Sequence, residues 1–227
     1  NCTSLQELNI VNFNTSKVIN MGNMFSFCEK LPSLNLPSKF VTNSVENMDS
    51  MFKNCKSLTN LNISTLNTEN VKNMKHMFYD CESLKNLDLS SFNTKKVINM
   101  AYMFSHCEKL NNIIFKDFNT DNVKNMKSMF ESCIKLVSLL FDIDKFYTLN
   151  TTNMEYMFSN CRELENLDVS LFDTSSVTNM RNMFESCINL IKIDVDNFKT
   201  SKVTDMQYMF SNCRKLIILN TSHFDTS

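Results

Sequence analysis

The 227-residue chain carries 23 lysine and arginine residues against 24 aspartate and glutamate, a net charge of -1 that offers no electrostatic case for nucleic acid or an anionic membrane surface. No apolar run approaches the 18 or so residues of a membrane span, and no charged leader with an apolar stretch opens the chain. Glycine (one), proline (two) and tryptophan (none) are scarce while Asn, Lys, Ile and Phe abound, a bias that an AT-rich genome would produce.

The chain opens within a repeat, at Asn1-Cys2-Thr3-Ser4-Leu5, and the first complete module begins at Met21. From there Met-x-x-Met-Phe-x-x-Cys-x-x-Leu recurs at Met48, Met74, Met100, Met126, Met154, Met180 and Met206, and these copies use all 16 methionines. The cysteines recur in the same rhythm, at steps of 26 to 28 residues, so every one belongs to the repeat. Self-similarity at such a period outranks any local motif in deciding the fold and predicts a stacked array.

Residues 84–107 show one coil. Leu84, Leu87 and Leu89 follow L-x-x-L-x-L, and their alternation with Asp88 predicts a short half-buried strand. Ser90-Ser91-Phe92-Asn93-Thr94 predicts a shaped loop, whose threonine recurs in every copy from Thr15 to Thr226. Val97, Met100, Met103, Phe104 and Cys107 then lie on one helical stripe, and Asn99, an N-cap residue type, predicts a brief α- or 3₁₀-helix starting there. Further along, the coils holding Leu36–Phe40 and Phe141–Phe146 are longer than the others. Leu66 replaces the loop phenylalanine, Thr151 the valine and Thr221 the last strand residue. One coil alone cannot bury enough to offset its backbone entropy, so stability has to come from stacking on neighbours.

The pattern L-x-x-L-x-L, F-x-T-x-x-V-x-N-M-x-x-M-F-x-x-C resembles the BspA-like leucine-rich repeats, most closely their 26-residue bacterial surface-protein and lipoprotein form. The resemblance covers the whole chain. It implies an α/β solenoid, a leucine-rich-repeat-like right-handed superhelix of about nine coils, each a short strand, loop and short helix. It also implies a cell-surface or extracellular location and a role in adhesion or protein binding, and it carries over no catalytic residue. Residues 1–227 are expected to form one array within a longer chain.

The cysteine column reads as reduced thiols in the core, because parallel Cβ vectors in stacked coils miss disulfide geometry and Met and Cys ladders do not converge on a metal. His76, His106 and His223 occupy three different repeat positions, which favours surface roles. No catalytic set, cofactor site or metal site is expected. The outward strand column reads Asn9, Asn35, Asn62, Asp88, Ile114, Leu140, Asp168, Asp194 and Asn220. Its apolar break at Ile114 and Leu140 lies beside the insertion Asp142–Lys145 and Tyr147. Asp88, Ile114, Leu140, Tyr147 and Asp168 are therefore the candidate protein-binding residues. Drift of the column, or cover by a neighbouring domain, is the plain alternative. Tyr102, Tyr156 and Tyr208 are expected to pack at the helix edge. The expected function is a non-enzymatic binding or adhesion module for a host or matrix protein, with no nucleic-acid partner and membrane contact only through an anchor elsewhere. The alternative is a structural spacer or a stalk that self-associates end to end.

Overall fold

The structure, a computed structural model, describes residues 2–116, 118–139 and 146–225. Leu140 and Asp142–Lys145 lie outside the described residues.

Two parallel ladders tie coil to coil. On the first, β1 (Ser33–Asn35) pairs with β2 (Asn60–Asn62), and β3 (Asn86–Asp88) with β4 (Asn112–Ile114), each in parallel register, for example Leu87 opposite Ile113. Single parallel bridges continue it from Ser138 through Asn166 and Lys192 to Ile218. The second ladder joins the residues preceding the first methionine of each module, Asn20, Asn47, Asn73, Asn99, Asn125, Asn153, Asn179 and Asp205. Inside, eight phenylalanines from Phe25 to Phe210 form one column, stacked at centroid separations of 5.3 to 5.7 Å and tilted by at most 14°. Methionine, leucine and cysteine columns flank it.

The expected short helix is absent: among the described residues there is no helix. Residues 100–107 instead form successive β-turns, closed by Met103 N–H donating to Met100 O (3.2 Å) and Cys107 N–H to Phe104 O (3.0 Å). Alternate amides point along the array. The N–H groups of Met100, Tyr102, Phe104 and His106 donate to the carbonyls of Asn125, Lys127, Met129 and Glu131 in the next coil, at 2.8 to 3.0 Å. Spacing explains the choice. Helices pack roughly 8–10 Å apart, whereas the phenylalanine column holds this flank at 5.3 to 5.7 Å. Extended turns fit that separation and helices do not.

Each turn has a left-handed residue at its third position, as a type II turn requires. Tyr102 (φ 60°) and His106 (φ 61°) fill these places here, and the other seven modules repeat them with Asn, Ser, Asp, His, Tyr or Phe, never glycine. Asn99 caps no helix. Its Oδ1 accepts the Ala101 N–H at 3.0 Å, an Asx-turn that recurs from Asn20 to Asp205.

The recurring threonine is an inter-coil rung. Thr68 Oγ1 donates to Asn93 O (3.0 Å) and accepts from Asn93 N–H (2.8 Å), and the same donation runs from Thr15 to Thr200. Thr151, in the valine position, is fully buried yet satisfied, because its hydroxyl donates to Val123 O at 2.9 Å.

All nine cysteines are free, and those from Cys28 to Cys187 are buried. From Cys55 onward each thiol donates to the carbonyl of the preceding module's phenylalanine at 3.0 to 3.2 Å, a bond that the repeat pattern alone does not reveal.

Candidate functional site

The strand face is built by the pleat. In β3, Leu87 points inward while Asn86 and Asp88 face solvent, and β4 repeats this with Ile113 inward and Asn112 and Ile114 outward. Most of the outward column has a local task. Asp88 Oδ1 accepts the Ser90 N–H and Asp168 Oδ1 the Ser170 N–H, both at 2.9 Å. Asn9, Asn62, Asp194 and Asn220 make the same Asx contact. The Ser90 hydroxyl and then its N–H hold the Asp88 carboxyl below the usual carboxylate value, and the Ser170 N–H and hydroxyl do so for Asp168. Both aspartates thus shape the turn that leaves the strand. Asn35 is followed two residues later by Pro37, which has no N–H to give.

Among the described residues of the column, Ile114 is the apolar exception. It lies in register with Asp88, has no side-chain oxygen for an Asx-turn, and is 46% exposed. Asp88 and Ile114 are therefore brought together by the ladder. Tyr147 is elsewhere: it is 38% exposed, and its carbonyl accepts from Thr120 Oγ1 at 2.5 Å, which puts it in the loop column with Asn93 and Asn119 rather than on the strand face. Asp168 lies further along the first ladder and lines a groove of about 540 Å³ with Asn166, Lys192, Asp194, Ile218 and Asn220, floored by Leu167 and Ile193. Sequence reasoning missed Lys192 and Ile218. Both belong to the strand column two residues before the one read, where polar Asn60, Asn86, Asn112 and Asn166 give way to a cation and an exposed isoleucine.

A second cluster sits on the turn flank. His76 stacks on Tyr102 at 4.9 Å, and Tyr79 meets His76 and His106 edge-on at 5.5 and 5.6 Å. Burial, then the Lys75 and Lys53 charges, lower the His76 pKa to about 4 against a weaker opposing pull from Asp49. Tyr102 and Tyr208 occupy left-handed turn positions rather than a helix edge, and Tyr208 is 61% exposed beneath the Arg181 guanidinium at 5.7 Å.

The thiols are chemically quiet. Burial pushes Cys55, Cys107 and Cys161 up to about 12, so the thiolate that attacks carbon or binds metal is scarcely populated at neutral pH. Among the described residues no group of three or more His, Cys, Asp or Glu is placed to hold a metal ion.

Solved structures similar to the chain include a leucine-rich repeat protein of T. pallidum, at 22% identity and a TM-score of 0.49 over 76% of this chain and 72% of that one. A leucine-rich repeat protein from Bacteroides ovatus is 19% identical with a TM-score of 0.40, over 82% of this chain and 56% of that one. A leucine rich cell surface protein from Faecalibacterium prausnitzii is 16% identical with a TM-score of 0.37, over 86% and 74%. No curated protein matches the sequence. The repeat pattern is similar to that of BspA-like leucine-rich repeat proteins. The family model described as "Mycoplasma protein of unknown function, DUF285" matches residues 1–85, 32–141 and 135–227, and the chain belongs to that family.

Proposed function

We propose that the array is a non-enzymatic protein-binding module displayed at a cell surface, and that it recognises a host or matrix protein through its strand face. The observation that carries this reading is the break at Ile114, where an exposed apolar side chain replaces the Asx residue that the turn otherwise uses. A position released from its structural task can be spent on contact. The acidic and amide groups around it, with the groove at Asp168 and Asp194, suit a partner that offers an apolar side chain flanked by cations. Binding to purified matrix proteins, compared between the native chain and Ile114→Lys and Asp168→Lys, tests this. Loss with either variant is expected, and binding unaltered by both would remove the strand face.

The second reading, a spacer or self-assembling stalk, draws on the open-ended stacking rule. Light scattering showing a strictly monomeric chain would exclude self-assembly.

A further inference from the structure

The net charge conceals a local segregation of sign. Lys72, Lys95, Lys96 and Lys124 line one concavity of about 380 Å³ with Ile98 and Asn122. Lys72, Ile98 and Lys124 hold the same position in three successive coils, linked by Ile98 N–H to Lys72 O (2.8 Å) and Lys124 N–H to Ile98 O (2.9 Å). Lys95 and Lys96 reach in from the loop of the middle coil, which Asn122 Nδ2 braces by donating to Lys95 O at 2.7 Å. Lys72 pairs with Glu46 at 2.8 Å and Lys96 donates to Asn70 Oδ1 at 2.7 Å. Lys95 and Lys124 are exposed and, among the described residues, have no carboxylate partner. Glu69 and Asp121 hold the Lys95 position in the coils on either side, but neither they nor Glu46 line the concavity, so the four ammonium groups share it with no carboxylate in its lining, and an anion there would offset their mutual repulsion.

The arrangement also limits the anion. Coils at strand-like spacing of about 4.8 Å set the Lys72 and Lys124 backbones roughly 10 Å apart along the array axis. Lysines act as point charges without the planar fork with which arginine grips a carboxylate, which suits tetrahedral ester groups on a flexible linear chain. No aromatic ring lines the concavity to stack a base. We propose that this concavity binds a sulfate-ester-bearing polysaccharide laid along the array axis, with Lys95 and Lys124 making the principal contacts. The site shares no residue with the strand face, so its test is independent of the reading above.

The probe is a heparin-derived oligosaccharide titrated calorimetrically into the intact chain at low and high salt. Saturable binding that weakens with salt is expected, and Lys95→Gln with Lys124→Gln should weaken it about tenfold while leaving the melting temperature unchanged. Lys202→Gln, outside the concavity, should bind as the native chain does. Absence of binding, unchanged binding by the double variant, or equal binding of the desulfated oligosaccharide would overturn the proposal. Tighter binding of anionic phospholipid vesicles or of DNA would overturn the ligand class.

Discussion

Thr68 places one hydroxyl between two backbone groups of the next coil, donating to one and accepting from the other, in a fully buried site. Thr68→Val keeps the shape and strands both partners, so a loss of about 1–3 kcal/mol is expected in urea unfolding, with Thr68→Ser losing much less. The sequence shows that the threonine recurs but not why, since a hydroxyl's partners 25 residues away leave no local mark. His106 carries the opposite lesson. Its variability reads as surface freedom, yet the backbone there is left-handed. A β-branched side chain fits such a conformation poorly, so His106→Val should lower stability by about 1–2 kcal/mol and His106→Asn should nearly preserve it. The thiols are legible as core residues from their place in the repeat. Their raised pKa values have a sign that can be checked: above the ordinary value of 9.0 the unfolded chain ionises while folded Cys55, Cys107 and Cys161 resist until about 12. Ionisation of the unfolded chain alone draws the equilibrium towards it, so the thiols' contribution to stability is fully present below pH 9 and falls as pH climbs through that window. The melting temperature should therefore drop between pH 9 and 12.

At the level of the element, the methionine module misleads for a definable reason. Inward positions at Met100, Met103, Phe104 and Cys107 satisfy a helical stripe, and two β-turns in succession bury the same set. Local periodicity cannot separate the two; the spacing between coils does, and it is a property of the stack. Far-ultraviolet circular dichroism is therefore expected to lack the helical double minimum. The ring column supplies much of that stack's cohesion. Phe104, fully buried between Phe78 and Phe130, should cost about 3–5 kcal/mol on replacement by alanine, measured by chemical denaturation. The strand is legible from its alternation, but its length is not, because in the later coils pairing shrinks to single bridges.

Across the whole molecule, the repeat and its two-sided stacking can be read from the period alone, whereas the distribution of charge cannot. A balance near zero rules out a uniformly basic surface and says nothing about four lysines gathered by three adjacent coils. The strand face is similarly half legible: its column is visible, but the Asx-turns that occupy most of it appear only once Ser90 and Ser170 are seen to donate. The hydrogen bonds of both ladders run from coil to coil, along the line on which a force between the two ends would act. Under tension the array is loaded as a zipper, whose coils open in succession instead of shearing together. Each coil of about 26 residues that opens releases roughly 90 Å of slack at about 3.4 Å per residue. A partner held at one end would feel a tether that yields in steps, lengthening under load and shortening again as coils restack.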